Sequence, residues 1–340
     1  MRIIITGGAG FIGSAFIRKF INEPDVQILN IDKLTYAGNL TTISVAEKQS
    51  NYSFLKADIS DIDLMKNTVA DFAPDVLINF AAESHVDRSI TNPDSFIRTN
   101  IFGTFSLLEA CRDYIANSAK KNFLFYHIST DEVFGDLQPS DAPFTENNIY
   151  DPSSPYSASK AASDHLVRAW ARTYEIDYII SNCSNNFGPF QFPEKLIPKT
   201  IIKVLEGEEI PIYGNGMQIR DWLYVDDHVD AIYSILTSGK KNENFNIGGS
   251  NEYTNISVVK KICSIIQNIH YPLLDNDFNN ANSLINFIQD RPGHDTRYAI
   301  NSQKLKEHIG WSPSKSFDQR LEETVHWYVD NRAWWTSLIS

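Results

Sequence analysis

The stretch Thr6-Gly7-Gly8-Ala9-Gly10-Phe11-Ile12-Gly13, written TGGAGFIG, decides how the rest of the chain is read. It follows the apolar run RIIIT at residues 2–6 and opens a segment with helical periodicity. Read one way it gives Gly8-x-Gly10-x-x-Gly13, and read another Gly7-x-x-Gly10-x-x-Gly13. Glycines here let the backbone turn tightly against a pyrophosphate, while the N-terminus of the following helix offers unpaired N–H groups and a positive dipole end. An acid stands where the second strand should end, because Asp32 lies 19 residues after Gly13. A carboxylate there accepts both ribose hydroxyls of an adenosine and repels a 2′-phosphate, so the expected cofactor is NAD rather than its phosphorylated form.

Outward from this turn, short apolar runs recur up to about residue 185: VQILNI (26–31), YSFLKA (52–57), DVLINFAA (75–82), NFLFYHI (122–128) and DYIISNC (177–183). Runs apolar on both faces, separated by helix-length spacers, imply an α/β fold with a parallel sheet covered on both sides. That is the Rossmann-type doubly wound plan, in which ligands bind at the carboxyl ends of the strands. Asp58 and Ile59 follow the third strand, and Ala81, Ala82 and Ser84 follow the fourth, so all five belong to the ligand edge. Beyond residue 186 the chain breaks into Pro- and Gly-punctuated pieces, then DDHVDAIYSIL reads as a helix and FNIGG (245–249) as one more strand of the first sheet. The expected division is residues 1–189, with a return segment at about 223–249, as the cofactor domain. Residues 190–222 and 250–335 form a smaller C-terminal substrate lobe, including an Asn-rich stretch at 275–286 and a last amphipathic helix near 316–331.

Composition excludes several classes. The net charge of −12 repels phosphate backbones, and the paired lysines at 120–121 and 240–241 read as solvated turns, so nucleic acid is not an expected partner. Cys111, Cys183 and Cys263 are far apart, with no CxxC and no companion His, which points to a reducing cytoplasm and to neither a disulfide framework nor a metal site. No apolar run reaches the length of a membrane span, and the glycine-interrupted N-terminus is not a signal peptide. His85, His127, His165, His228 and the Trp334-Trp335 pair are expected to pack rather than do chemistry.

Pro155-Tyr156-Ser157-Ala158-Ser159-Lys160 begins a helix, with Ser153 or Ser154 as N-cap and Pro at the first turn. Tyr156 and Lys160 then share one helix face, and an ammonium close to a phenol is expected to lower its pKa and make Tyr156 a base for an alcohol hydroxyl. With TGxxGxxG at the N-terminus and YxxxK here, the chain resembles the extended short-chain dehydrogenase/reductase family. The resemblance implies that Lys160 also holds the nicotinamide ribose, and that Thr130, just past the fifth strand, steadies the substrate oxygen.

Asp131 and Glu132 directly follow that threonine, in ISTDEVFGD at 128–136. Simple alcohol oxidation has no use for them, and two carboxylates beside a nicotinamide are justified only when they transfer protons themselves. Dehydration next to a newly formed ketone needs both: one takes the acidified C5 proton of a hexose, and its protonated neighbour gives a proton to the departing C6 hydroxyl. Like charge raises one pKa and allows that division. Over TGGAGFIGS, IDKLTYAGNL, FAAESHVDRSI, STDEVFGDL, SPYSASKAASDHLVR, SNNFGPFQFPEKLIPK, IYGNGMQIRDWLYVDDH and DRPGHDTRY, in order, the chain is similar to the nucleotide-sugar 4,6-dehydratases of that family.

This closer resemblance implies NAD as cofactor, dTDP-glucose as substrate and a homodimer. It assigns Tyr156 as the base at O4, Asp131 as the acid at the C6 hydroxyl and Glu132 as the base at C5. The cofactor set it implies is Gly7, Gly10, Phe11, Ile12 and Gly13 in the turn; Asp32, Lys33, Leu34 and Thr35 after the second strand; and Asp58, Ile59, Ala81, Ala82, Ser84, Thr99, Tyr156, Lys160 and Asn186. Ser84 and Thr130 would contact the sugar, while Asn185, Lys195, Leu196, Arg220, Asn255 and the run from Arg291 to His294 would hold the nucleotide diphosphate. Phe134 stands where the family often has Tyr. A 4-epimerase on the same fold shares the glycines and YxxxK but does not require the Asp-Glu pair; dehydratases of CDP-glucose or GDP-mannose differ in the base pocket. A non-catalytic dinucleotide sensor could dispense with Tyr156 and Lys160.

Overall fold

The computed structural model describes residues 1–118, 122–269 and 280–339. The lysine pair at 120–121 and residues 275–279 of the Asn-rich stretch lie outside the described residues. In chain order the strands are β1 (Arg2–Thr6), β2 (Gln27–Asp32), β3 (Tyr52–Lys56), β4 (Val76–Asn79), β5 (Leu124–Thr130), β6 (Tyr178–Cys183), β7 (Asn185–Phe187), β8 (Ile210–Tyr213), β9 (Ile219–Tyr224), β10 (Glu243–Ile247), β11 (Glu252–Thr254), β12 (Ile285–Ile288) and β13 (Arg297–Tyr298).

Seven of these form one sheet in the order β10-β6-β5-β4-β1-β2-β3, and every pairing in it is parallel. Successive side chains of a strand point to opposite faces. Accordingly Ile3 and Ile5 enter one core with Phe16, Ile17, Val229 and Ile232, whereas Ile4 enters another with Leu77, Leu107, Phe125 and Ile180. Both faces are therefore apolar and helix-covered, which is why the strands read as unbroken hydrophobic runs. Strand order reverses direction between β1 and β4, and a crevice for ligands opens at such a point.

Past Cys183 the chain leaves this sheet at once, because β7 pairs with β9 in a second sheet whose main path is β11-β9-β13. The helix Val225–Thr237 and β10 return to the first sheet, as their spacing predicts. A separate apolar core, with Ile201, Val258, Ile262, Leu321, Tyr328 and Trp335, fills the second lobe. The last amphipathic helix runs Phe317–Asp330 with Ser316 and Gln319 forming a capping box, and a further helix, Arg332–Ile339, follows it. Among the described residues no helix is long and apolar enough to cross a membrane.

Candidate active site

The glycine turn is shaped for close approach. Gly7 has φ +71°, and a Cβ added there would lie 2.6 Å from the backbone of Ala81. A Cβ at Gly13 would lie 2.5 Å from the Gly7 carbonyl oxygen, so the first helix can start against the turn only without a side chain. Asp32 locks the turn: its Oδ2 accepts from Ala9 N at 2.9 Å and its Oδ1 from Leu34 N at 2.8 Å. An ionised carboxylate has about four acceptor positions, so two remain for a ribose diol. Gly7→Ala should destabilise the fold by about 1–3 kcal/mol through backbone strain alone. Denaturation midpoints, and the ultraviolet absorbance of nucleotide that copurifies, would both fall.

One cavity runs from this turn to the tip of β5. Gly7, Gly10, Phe11, Ile12, Gly13, Asp32, Lys33, Thr35, Asp58, Ile59, Ala81, Ala82, Ser84 and Thr99 line one part of it. Thr130, Asp131, Glu132, Tyr156, Lys160, Asn185, Asn186 and Lys195 line the other. Leu34, Leu196, Arg220, Asn255, Arg291 and His294 are not among the lining residues. Leu34 instead holds Asp32 through its N–H, Leu196 packs on the second core, and Asn255 starts a helix with its N–H on the Gln218 carbonyl. Arg220, Arg291 and Lys195 nevertheless each favour the charged form of Glu132, Lys195 from the cavity lining and the two arginines from outside it. His294 is tied to Asp290 at 2.6 Å.

The acid pair owes its position to three local devices. Thr130 ends β5 and its Oγ accepts from Glu132 N at 3.2 Å, capping a single 3₁₀ turn, Asp131–Phe134. Gly135, at φ +93°, breaks the turn, because a Cβ there would meet the Asp151 carbonyl at 2.4 Å. Asp136 then accepts from Thr296 N and Arg297 N, strapping the turn to the loop that carries Arg291 and His294. Asp131 is 2% exposed and its Oδ2 has no hydrogen-bond partner among the described residues. Burial first, then Glu132, push the Asp131 carboxyl well above the usual range. Glu132 is raised as well, by burial, with Arg220, Arg291 and Lys195 opposing.

A carboxyl raised in the fold binds its proton more tightly there than in the unfolded chain, so stability is lost as pH rises from the unfolded carboxylate range through the folded value. Asp131→Asn is therefore expected to stabilise the protein at neutral pH by about 0.5–2 kcal/mol, the usual scale when a strained functional group is relieved. The gain should vanish below about pH 4, where the unfolded carboxyl is itself protonated. Urea midpoints at the two pH values measure it.

Ser154 caps the helix Pro155–Tyr174, with Pro155 in its first turn, and Tyr156 and Lys160 reach the cavity from it. The Tyr156 phenol is shifted opposite to the expected direction, and Lys160 is not among the causes. Burial, then the negative charge of Glu132, push the phenol well above its ordinary value, and a hydrogen bond to Thr130 opposes them. The Lys160 ammonium is directed elsewhere, donating to the Ile128 carbonyl at 2.8 Å and lying 3.4 Å from His127 Nε2.

Sequence spacing missed what stands behind Lys160. His127 is fully buried, and its Nε2 lies 3.4 Å from Asp164 Oδ1. Asp164 accepts from Ser129 and Tyr150, each at 2.9 Å. The available signal was the helix itself, since Tyr156, Lys160 and Asp164 fall at intervals of four on one face. Asn100 was missed too; it sits in a π-helical segment, Ile97–Gly103, exchanges hydrogen bonds with the Glu83 backbone and donates to Ser159 of the catalytic helix. Trp335 packs in the second core and Trp334 packs against it, as expected, while Trp334 and Leu338 of the last helix also line the cavity.

The model of the GDP-mannose 4,6-dehydratase family matches residues 4–324. A curated relative, the dTDP-glucose 4,6-dehydratase of Escherichia coli, is 51% identical over 346 residues, covering 98% of this chain and 95% of that protein. Among solved structures, dTDP-glucose 4,6-dehydratase of Streptomyces venezuelae with NAD bound superposes with a TM-score of 0.90 at 38% identity, covering 99% of this chain and 100% of that one. UDP-glucose 4-epimerase of Thermotoga maritima gives a TM-score of 0.85 at 28% identity, covering 98% and 100%.

Proposed function

The chain belongs to the GDP-mannose 4,6-dehydratase family, and from that membership and the cleft at the tip of β5 we infer that it is an NAD-dependent dTDP-glucose 4,6-dehydratase, a carbon–oxygen hydro-lyase. The reaction oxidises C4 of the hexose, eliminates water across C5 and C6 and returns the hydrogen to C6, giving a 4-keto-6-deoxy sugar for deoxysugar synthesis. The observation that carries this reading is the buried Asp131 beside Glu132, one residue beyond Thr130 and in the same cavity as Tyr156 and Lys160. Oxidation or epimerisation leaves that pair without a task.

The cavity fits the cofactor: the glycine turn excludes side chains from the pyrophosphate position, and Asp32 keeps free acceptor positions for a ribose while repelling a 2′-phosphate. When bound, NAD would supply a hydride acceptor for C4 and a hydride donor for C6. The protein moves the protons. Tyr156 takes the O4 proton, with the Thr130 hydroxyl beside it, and Lys160, fixed by the Ile128 carbonyl, is set to hold the nicotinamide ribose. Once C4 is a ketone, Glu132 removes the acidified C5 proton and Asp131, kept protonated by burial, protonates the departing C6 oxygen. Ser84 and Asn185 complete the sugar pocket.

Lys195, Arg220, Arg291 and His294 are assigned to the diphosphate, with Leu196 and Asn255 on the same side; the supporting fact is the convergence of three of these cations on Glu132. The division into a cofactor domain, 1–189 with 223–249, and a substrate lobe, 190–222 with 250–335, belongs to the same proposal. The separate second core supports it, and β7 favours moving the first boundary to about residue 184. A homodimer and a cytoplasmic location complete the reading: Ile97 and Phe102 stay exposed beside the helix Thr104–Asn117, and all three cysteines are free and buried. Mass spectrometry of an incubation with dTDP-glucose tests the activity. Loss of one water is expected; an unchanged mass with a galactose product would instead favour an epimerase.

A further inference from the structure

Lys160 carries its charge into a place with almost no water: it is 3% exposed, and burial pushes its ammonium below the ordinary lysine value. A buried cation persists only when an anion is paired with it. The acid pair of the cleft does not supply one, since the cations that act on Glu132 are Arg220, Arg291 and Lys195. Cys183 reaches Lys160 from β6, but burial pushes its thiol up to about 12, so at neutral pH it carries no charge. The Tyr156 phenol, one turn back, is raised well above its ordinary value and is neutral too. What remains is Asp164, one turn further along the same helix face and fully buried.

His127, on β5, stands between the two. Thr6 Oγ donates to Asn79 Oδ1 at 2.6 Å, which turns the amide nitrogen of Asn79 toward His127 Nδ1 at 3.2 Å. Nδ1 therefore accepts, and a neutral imidazole then carries its proton on Nε2. Burial, then the charges of Lys160 and Arg168, hold His127 neutral. Its Nε2 lies 3.4 Å from Lys160 Nζ and 3.4 Å from Asp164 Oδ1. The other carboxylate oxygen of Asp164 accepts from the Ser129 and Tyr150 hydroxyls at 2.9 Å each and from Asn182 Nδ2 at 3.4 Å, and the Tyr150 hydroxyl accepts from Arg168 at 2.8 Å. Donors gathered on a carboxylate favour its ionised form, and Lys160 is the largest influence opposing the rise that burial imposes on it. Resting on the role given to Lys160 above, we propose that Asp164, seated across the His127 ring, is the counter-ion that keeps Lys160 an ammonium held ready for the nicotinamide ribose. The Ile128 carbonyl takes one of the three ammonium donors, and two are left for the ribose. Asp164 and His127 do not line the cavity, so both act through Lys160 as positioning residues.

NMR of the NAD-loaded protein, with its lysines labelled with carbon-13 at Cε, reads the protonation of Lys160 directly, its signal being the one that Lys160→Met lacks. In the wild-type protein that signal should be an ammonium's at neutral pH; an amine's signal there overturns the proposal, and this arm needs no folded Asp164 variant. Asp164→Asn keeps the shape of the carboxyl and removes its charge. Its Lys160 signal should titrate lower than in the wild type by about one pH unit or more, the scale of an opposite charge lost beside a buried group. A purely structural role for Asp164 would leave the two titrations together, and coincident midpoints overturn the counter-ion. Over the pH range where only the variant has lost the proton, its affinity for NAD should be about ten-fold weaker, the scale of one charged hydrogen bond. Equal affinities there would overturn the link to the cofactor. None of these readouts uses the sugar, so an incubation of dTDP-glucose that loses no water would remove the dehydratase reading and leave the result on Lys160 standing.

Discussion

Glu132→Gln is expected to lower turnover about 10²- to 10⁴-fold while leaving the oxidation of C4 in place, the range for loss of one positioned proton-transfer group. The amide keeps the shape of the side chain at the head of the 3₁₀ turn and keeps the backbone N–H that Thr130 accepts from, so the turn survives. What is lost is a base for the C5 proton. Asp131→Asn should give the same kinetic picture from the other side, since an amide has no acidic proton for the departing hydroxyl. In both variants reduced nicotinamide, followed by its near-ultraviolet absorbance, should accumulate on adding dTDP-glucose and persist, because no acceptor forms at C6. Equal and negligible effects from the two substitutions would remove the dehydration mechanism.

Tyr156→Phe should have an effect of similar size, about 10²- to 10⁴-fold, but on the first half of the reaction. Without the phenol the O4 proton has lost its assigned base, and the Lys160 ammonium already donates to the Ile128 carbonyl. No reduced nicotinamide should then build up. The contrast between this variant and the acid-pair variants separates the redox step from the elimination, which rate measurements on the whole cycle do not. The phenol also starts from an unfavourable position, raised by burial and by Glu132. The Thr130 hydroxyl acts in the opposite direction without reversing that rise.

Much of this was legible in the sequence because the elements that place the site are the ones with strong local signals. Strands buried on both faces read as apolar runs, Gly7 and Gly13 answer to backbone geometry, and Ser154-Pro155 marks a helix start. Shorter elements were not legible. β7, β11 and β13 have two or three residues each, too few for any period, and they form by pairing with β9 from far along the chain. The electrostatics were legible only in part. Spacing put Lys160 beside Tyr156 on one helix face, but spacing knows nothing of the Ile128 carbonyl that takes the ammonium, nor of His127 and Asp164 behind it. Trp334 shows the same limit: both tryptophans pack on the second core, and only the path of the last helix decides which of the two also meets the cavity.

The most direct test of the central claim, that the acid pair acts on the sugar while the hydrogen of C4 is held away from it, follows that hydrogen. dTDP-glucose carrying deuterium at C4 is incubated with the protein, and the product is examined by mass spectrometry and NMR. Retention of the label at C6 of a product lighter by one water is the predicted result. Deuterium found again at C4, in a product that has lost no water, would contradict it.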